Sequence, residues 1–119
     1  LLLATVTGDD GTLRLNLAGR AIAVERPAAG LAPGTPVTLG IRPEHIVMAK
    51  ADADLTLTVD LVEHLGGETF VYASAPGLPQ ITLRQDGQAR LARGEVIGIR
   101  FDPPHLHFFD EAGATLARP

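Results

Sequence analysis

The sequence predicts an all-β fold in which short antiparallel strands form a closed barrel or a sandwich. Three observations support this prediction. Apolar residues recur at every second position, turn-forming residues separate these runs at short intervals, and no long segment keeps the apolar spacing of a helix. The length of 119 residues fits a single domain, which we assign to residues 1–119.

Alternating apolar and polar residues define the strands in chain order. The apolar run from Leu1 to Val6 opens the first strand. The alternating apolar positions that follow are Leu13, Leu15, Leu17, Ile22, Val24, Val37, Leu39, Ile41, Leu55, Leu57, Val59, Leu61, Ile81, Leu83, Ile97, Ile99 and Phe101. Because successive side chains of a strand point to opposite faces, each run is expected to bury one face against a core.

Turn chemistry lies between these runs. Asp9-Asp10-Gly11 predicts a hairpin turn, since Asp-Gly supplies the positive φ that such turns require. Residues 26–36 predict a loop, and further turns are expected at 75–79 and 86–87. At most a short helical turn fits the sequence, around Pro43 to Ile46 or around Pro103 to Leu106; the prolines there limit any longer helix.

The longest alternating run is interrupted where Val62 directly follows Leu61, and Gly66-Gly67 comes shortly afterwards. A β-bulge or a sharp bend accounts for both features, because glycine tolerates that geometry. We favour strand curvature here over a ligand-binding loop.

A weak internal repeat relates residues 40–46 to residues 98–106. Both segments follow an apolar strand start and end in a cluster of proline, histidine and an aliphatic residue. A duplicated β unit explains the similarity, and this alignment makes Arg42 and Arg100 equivalent.

Composition argues against several function classes. The net charge is −4, Lys50 is the only lysine and the chain has one tyrosine, four phenylalanines and no tryptophan. Nucleic-acid binding normally uses clustered cations and aromatic stacking platforms, so no nucleic-acid partner is expected. The absence of cysteine excludes disulfides and thiolate metal sites and fits a reducing compartment.

No residue pattern supports catalysis. Lys50 lacks the flanking glycines of a phosphate-binding loop, and Ser74 has no histidine nearby in the sequence. No apolar run reaches the length of about 20 residues that spans a bilayer, and Leu1 to Val6 lacks the basic leader of a signal peptide. The chain also starts without methionine, so we expect a fragment of a longer protein.

Two polar clusters have both a functional and a structural interpretation. Arg42, Glu44 and His45 could bind an anion or a partner carboxylate, and an Arg–Glu pair could equally brace a strand end for about 0–1 kcal/mol. We favour the structural role. The same choice applies to Glu63 and Glu68, which flank the double glycine together with His64 and do not by themselves indicate a hydrolase.

His105 and His107, two residues apart, could contribute to a metal site. On an extended strand their spacing points both imidazoles to the same face, with Asp102 or Asp110 as a third ligand. We favour no metal, because a tetrahedral site needs a complete ligand set.

Three segments resemble a known family. They are Val37 to Ile46 with its Gly-Ile-Arg-Pro-Glu-His core, Val62 to Thr69 with its Val-Glu-His-Leu-Gly-Gly-Glu-Thr sequence, and Gly98 to Asp110 with Gly113 following. In this order they resemble the C-terminal regulatory domain of ATP-binding subunits of carbohydrate importers, of the maltose and sn-glycerol-3-phosphate type. The likeness runs from about Leu3 to Leu116.

The resemblance implies a β-barrel of the oligonucleotide/oligosaccharide-binding (OB) type, called a TOBE domain, without catalytic activity. It implies an ATPase domain upstream, which would hold ATP and Mg²⁺, and a location at the cytoplasmic face of the cell membrane. The implied partners are a second copy of the subunit, the transmembrane permease subunits and a regulatory protein. Self-association would use strand edges or exposed apolar residues such as Phe108 and Phe109.

The candidate family-motif and regulatory residues are Gly40, Arg42, Pro43, Glu44, His45, Glu63, Gly66, Glu68 and Arg100. The alternative hypothesis is a free-standing sensor barrel in which Arg42 and Arg100 face a small oxyanion such as molybdate. A nucleic-acid-binding barrel is the third class, and the acidic charge argues against it.

Overall fold

The computed structural model describes residues 2–25, 30–87, 90–110 and 112–113. The strands are β1 (Leu2–Asp9), β2 (Thr12–Leu17), β3 (Arg20–Glu25), β4 (Pro36–Gly40), β5 (Ile46–Met48), β6 (Leu55–Leu65), β7 (Glu68–Ser74), β8 (Ile81–Asp86), β9 (Val96–Phe101) and β10 (His107–Phe109). Two 3₁₀ turns, η1 (Pro43–His45) and η2 (Pro103–His105), lie at the two places where the sequence predicts a short helical turn. Among the described residues, no helix has the length and apolar character needed to cross a membrane. The all-β prediction is confirmed.

Two antiparallel sheets contain these strands, one in each of two compact units. Unit 1 combines the residues up to Ile41 with those from Pro103 onward, and its sheet has the order β10-β4-β1-β2-β3. Unit 2 runs from Arg42 to Asp102, and its sheet has the order β5-β9-β6-β7-β8. The assignment of residues 1–119 to one domain stays a prediction.

The two units have the same internal architecture, which supports the predicted duplication. In unit 1, β1 pairs with β4 so that Leu3 lies opposite Thr38. In unit 2, β6 pairs with β9 in the same way, and Thr56 lies opposite Gly98. Matching backbone hydrogen bonds hold the ends of these pairs. The N–H of Gly34 donates to the Val6 carbonyl at 2.7 Å, and in unit 2 the N–H of Gly94 donates to Val59 at 2.8 Å.

This register corrects the alignment of the repeat. Because Thr38 corresponds to Gly98 and η1 corresponds to η2, the offset between the two halves is 60 residues (98 − 38 = 60). Arg100 therefore corresponds to Gly40 and Arg42 corresponds to Asp102, so the predicted equivalence of Arg42 and Arg100 is wrong. The sequence alignment placed glycine on glycine, whereas strand pairing determines which residues occupy equivalent positions.

Each unit has its own apolar core, built from the inward positions of the alternating runs. In unit 1 the buried apolar residues are Leu2, Ala4, Val6, Leu13, Leu15, Leu17, Ile22, Val24, Val37, Leu39, Leu106 and Phe108. In unit 2 they are Ile46, Leu55, Leu57, Val59, Val71, Ala73, Ile81, Leu83, Ile97, Ile99 and Phe101. Phe108 is only 3% exposed, so it belongs to the core and not to an exposed surface for self-association.

A β-bulge between Val59 and Leu61 interrupts the longest strand. The bulged residue, Asp60, is held by a hydrogen bond from the Ser74 hydroxyl at 3.0 Å and another from the Gln80 amide at 3.2 Å. The bulge reverses the alternation, so that Leu61 points outward although the sequence predicts it to be in the core.

The double glycine is a hairpin turn and not a bend within one strand. Gly66, at φ +63°, and Gly67 connect β6 to β7, a strand that the sequence analysis did not assign. The predicted hairpin turn at residues 9–11 is confirmed between β1 and β2, as is the turn at 75–79. The predicted loop at 26–36 lies partly outside the described residues.

The two candidate metal-binding histidines do not share a strand. His105 ends η2, and His107 is the first residue of β10. The strand geometry on which the predicted pair depends is therefore wrong. Two residues on one extended strand share a face, but a 3₁₀ turn rotates each successive side chain by about a third of a circle.

Candidate functional site

The 3₁₀ turn η1 lies in the first of the three family segments. We call Val37 to Ile46 the first marker and Val62 to Thr69 the second marker. Pro43 stands at the first position of η1, where the fixed φ of proline suits a helical start and its missing N–H costs nothing. The backbone N–H of His45 donates to the Arg42 carbonyl at 2.9 Å, which closes the turn and leaves Glu44 exposed. A hydrogen bond from its own backbone N–H lowers the pKa of Glu44, and electrostatic attraction to neighbouring groups, Arg84 among them, lowers it further against the opposing effect of desolvation.

Arg84 on β8 joins the two markers within unit 2. Its Nη2 atom donates to Glu68 Oε1 at the start of β7, and its Nη1 atom lies 3.9 Å from Glu44 Oε2. The predicted pair between Arg42 and Glu44 is thus replaced by an ion pair between Arg84 and Glu44. All three side chains are more than one-third exposed, so each pair is expected to contribute about 0–1 kcal/mol.

The sequence analysis missed Arg84 because its role depends on strand register. Arg84 lies opposite Phe70, and Glu68 lies opposite Asp86, so Arg84 and Glu68 are diagonal neighbours on one face. A pattern search that paired the polar residues of the strand at 81–86 with those after the double glycine could have found it, given the register.

The outward face of β6 continues this surface. Leu61 is 52% exposed and Leu65 is 57% exposed, with Glu63 between them on the same face. Glu63 accepts a hydrogen bond from Tyr72 of β7, and this bond, with the negative charge of Glu63, raises the pKa of Tyr72. Phe70 lies opposite Glu63 and is half-buried.

We call this the marker surface, and it consists of Glu44, Leu61, Glu63, Leu65, Glu68, Phe70, Tyr72 and Arg84. It combines two exposed leucines with three carboxylates and one arginine, whose guanidinium is shared between two of those carboxylates. Its chemistry is that of ion pairs, hydrogen bonds and apolar contact, which suits binding to a partner.

Beneath the marker surface, Thr69 holds the hairpin in place. Its hydroxyl donates to the Gly87 carbonyl at 2.7 Å and lies 3.1 Å from His64 Nδ1. Thr69 is fully buried, and the N–H of Gly87 donates to the Gly67 carbonyl at 2.6 Å. The contacts of His64, Thr69 and Gly67 therefore position the hairpin of the second marker.

The two remaining candidates lie apart from the marker surface. Gly40 is the buried last residue of β4 in unit 1. Arg100 is exposed on β9, and its charge acts on Asp54, whose Oδ2 atom accepts the Phe101 N–H at 2.9 Å. Burial raises the pKa of Asp54, although the hydrogen bond from Phe101 and the charge of Arg100 act in the opposite direction. The nearby carboxylate weakens the attraction of Arg100 for an anion.

Comparison with known proteins identifies the family. The sequence model of the TOBE domain matches residues 39–109, which is more than half of the chain. The chain belongs to the TOBE domain family. A second model, that of the MalK OB fold domain, matches residues 1–46, so TOBE and MalK-type OB assignments together cover most of the chain.

Curated relatives of this TOBE domain include import ATP-binding proteins. The sn-glycerol-3-phosphate import ATP-binding protein UgpC of Paraburkholderia xenovorans is 38% identical over 124 residues, which cover 98% of this chain and 33% of that protein. UgpC 3 of Agrobacterium fabrum is 42% identical over 94 residues, covering 75% of this chain and 27% of that protein. The chain spans about a third or less of the length of these relatives.

A solved structure shares the fold. A crystal structure of the cytoplasmic molybdate-binding protein ModG, with molybdate bound, has a TM-score of 0.74 and 18% sequence identity. The similarity covers 90% of this chain and 92% of that chain. It confirms the predicted OB-like, TOBE-type class of the fold.

Proposed function

We propose that this chain is a non-catalytic regulatory and dimerisation domain of the ATP-binding subunit of an importer, of the type that takes up sn-glycerol-3-phosphate or a sugar. One observation carries the proposal: a UgpC protein matches nearly the whole chain, while the chain spans only a third of it. The chain has no phosphate-binding loop around Lys50, so ATP and Mg²⁺ would bind elsewhere in the full-length protein.

The marker surface is the part of the domain that we assign to regulation. Its exposed leucines, Leu61 and Leu65, lie on either side of Glu63, and Arg84 joins Glu44 to Glu68 beside them. Apolar anchors surrounded by charged groups are typical of protein interfaces, where the apolar centre supplies affinity and the charged rim supplies selectivity. A second copy of the subunit or a regulatory protein would bind there.

The other expected partners follow from the same assignment. The full-length protein would bind the permease subunits at the inner face of the cell membrane and would close as a dimer around ATP. This domain would contribute to the dimer without contacting the nucleotide. No nucleic-acid partner is proposed, since the chain carries a net charge of −4 and a single lysine.

The test uses the full-length protein and replaces both exposed leucines of the marker surface. We expect Leu61→Ser with Leu65→Ser to leave ATP binding unchanged and to weaken self-association, or binding of the regulator, by about tenfold or more. Sedimentation velocity at several protein concentrations and a fluorescent ATP analogue give the two affinities. Val96→Ser is the matched control, because Val96 is an exposed strand residue (64%) outside the marker surface. Association as strong in the double variant as in the Val96→Ser control, with ATP binding intact, would contradict the proposal.

An oxyanion sensor is the second candidate function. It is favoured by the likeness of the fold to a molybdate-binding protein and by the exposed cation Arg100. Differential scanning fluorimetry with molybdate, phosphate and glycerol-3-phosphate, each against a chloride control of equal ionic strength, tests it. A rise in melting temperature that Arg100→Gln removes would support this candidate, and no shift with any of the anions would exclude it.

A further inference from the structure

The outer face of the unit 1 sheet carries the most exposed large apolar side chain among the described residues. Leu3, on β1, is 79% exposed. It lines a shallow groove of about 570 Å³ whose walls come from β1, β2, β4 and the turn after β2. The lining residues are Leu3, Ala4, Thr5, Asn16, Ala18, Pro36, Val37 and Thr38.

None of these lining residues carries a charge. The one amide in the groove, that of Asn16, already accepts the Gly19 N–H at 2.9 Å through its Oδ1 atom. The groove therefore offers apolar contact with a few hydroxyl groups and little electrostatic attraction. In this respect it differs from the marker surface, where Glu63 and the ion pairs of Arg84 dominate.

Ala18, in the turn between β2 and β3 at the edge of the groove, has an unfavourable backbone conformation for a residue with a Cβ. Ala18 has φ +51° and Gly19 has φ +86°, so both residues of this two-residue hairpin turn are left-handed. Glycine or asparagine normally occupies such a position, because a Cβ costs about 1 kcal/mol in that conformation. Alanine places its methyl group in the groove wall instead.

The same face of unit 2 differs at two positions. The place of Leu3 is taken there by Thr56, which is exposed but polar. The position equivalent to Thr38 is Gly98, where a Cβ would lie 2.6 Å from the Ala49 carbonyl oxygen and 2.9 Å from the Ala53 Cβ. The segment that contains both alanines thus packs onto the strand at Gly98. Thr38 has a side chain in the equivalent place, and the groove at Leu3 stays open among the described residues.

From the exposed leucine in an uncharged groove of unit 1, where unit 2 has an exposed threonine and a groove lined by Lys50 and Glu95, we infer that the Leu3 groove is the docking surface for the ATP-binding part of the same polypeptide. The inference rests on the proposed function. The relatives are about three times as long as this chain, so most of such a protein lies outside it. An uncharged apolar surface gains little from electrostatic steering, and a tethered partner does not need it, because covalent linkage supplies a high local concentration.

The test measures how accessible position 3 is in the full-length protein. This chain has no cysteine, so Leu3→Cys and, as the control, Val96→Cys each introduce a single thiol into it. Maleimide labelling is followed by mass spectrometry of the peptide that contains each thiol, in the native protein and in guanidinium. We expect the thiol of native Leu3→Cys to react at least about tenfold more slowly than the same thiol in the unfolded protein. It should also react at least about tenfold more slowly than the thiol of native Val96→Cys. A rate reduced by this factor means that the groove is uncovered less than about a tenth of the time.

Two outcomes would overturn the inference. One is a labelling rate at position 3 that differs by less than about tenfold between the native and the unfolded protein, measured in a full-length protein that hydrolyses ATP. The other is slow labelling that disappears on dilution to monomer, which would make a second copy the occupant. Failure of the proposed function is a separate result, namely a full-length protein without ATP binding.

A second variant tests the same inference if Leu3→Cys does not fold. Leu3→Asp should lower the melting temperature of the full-length protein more than Val96→Asp does, because a carboxylate would be buried in the first case and exposed in the second. Equal effects of the two substitutions would contradict docking at Leu3.

Discussion

At the scale of single residues, the charge and hydrogen-bond partners of the marker surface are set by side chains from different strands. Arg84 shares its guanidinium between Glu44 and Glu68, and Tyr72 donates to Glu63. Arg84 thus connects the first family marker to the second, whereas Tyr72 contacts the second marker alone. The exposed position of these groups makes each contact weak by itself, so the surface is better suited to recognition than to stability.

The pKa of Tyr72 is a direct measure of its interaction with Glu63. Because Tyr72 is the only tyrosine, absorbance titration of tyrosinate follows it without ambiguity. Glu63→Gln removes the charge that disfavours tyrosinate, so we expect the pKa of Tyr72 to fall toward its ordinary value of about 10. In the wild type, the stabilisation from this contact is present below the unfolded pKa and is lost as the pH rises through the raised pKa. An unchanged titration curve for Glu63→Gln would show that another group causes the shift.

Asp54 gives a second pH prediction, with the sign set by its raised pKa. A carboxyl whose pKa is higher in the folded state favours folding most at acid pH, and this contribution is lost as the pH rises through the folded pKa. Asp54→Asn keeps an acceptor for the Phe101 N–H and does not ionise. We expect the free energy of unfolding of the variant, relative to wild type, to increase between about pH 3 and about pH 7. Urea unfolding across this range measures it, and a decrease would contradict the desolvation argument.

At the scale of elements, the β-bulge at Asp60 makes one strand serve two purposes. Before the bulge β6 buries Leu57 and Val59, and after it the strand exposes Leu61 and Leu65. The extra residue reverses which face is apolar, so a run that begins as core continues as surface. The hairpin beyond the bulge carries the exposed leucines of the marker surface.

Substitution of Gly98 tests how closely β9 approaches the segment that contains Ala49 and Ala53. Gly98→Ala would place a Cβ against the Ala49 carbonyl and the Ala53 methyl group, and backbone cannot yield as a flexible side chain does. We expect a loss of about 1–3 kcal/mol in the free energy of unfolding. Gly67→Ala is the matched control, since no atom lies within 4 Å of its added Cβ and its φ is not positive. Chemical denaturation of both variants decides, and equal losses would rule out the close approach.

Ala18 tests the strain in the turn beside the Leu3 groove. Ala18→Gly removes the Cβ that disfavours φ +51°, so we expect a gain of about 0.5–1 kcal/mol in the stability of this chain. Thermal and urea unfolding give the difference. A clear loss of stability would show that the methyl group contributes more through contacts within the chain than it costs in strain.

At the scale of the whole molecule, the chain is a duplicated five-stranded pattern in which the last strand of each half joins the sheet of the other half. β5 pairs with β9 in unit 2, and β10 pairs with β4 in unit 1. Unit 1 is thus built from both parts of the sequence, and its stability depends on residues near the end of the described chain. Phe108 of β10 shows this dependence, since it is buried opposite Leu39.

Truncation of this closing strand should be costly. We expect Phe108→Ala to lower the free energy of unfolding by about 3–5 kcal/mol, because it removes a buried aromatic ring from a small core. Phe109→Ala, which changes a half-buried neighbour on the opposite face, should cost clearly less. Urea denaturation compares the two. A similar loss in both variants would argue that β10 does not complete the sheet.

The sequence by itself determined the local features of this protein. Alternation predicted most of the strands but not β7, Asp-Gly and proline chemistry predicted the turns, and three ordered segments indicated the family. Each of these depends on sterics or on motifs that are read from neighbouring residues. The prediction that residues such as Arg42, Glu63 and Glu68 act in regulation stays a prediction.

Only the tertiary structure decided which residues meet. The partner of Glu44 is Arg84 and not Arg42, Leu61 is on the surface, and Phe108 is in the core. These outcomes depend on register between strands far apart in the chain and on one bulged residue, Asp60, that shifts a strand by one position. A shift of one residue turns every following side chain to the other face. The break in alternation at Leu61 and Val62 indicated a bulge or a bend, but it did not identify Asp60 as the bulged residue.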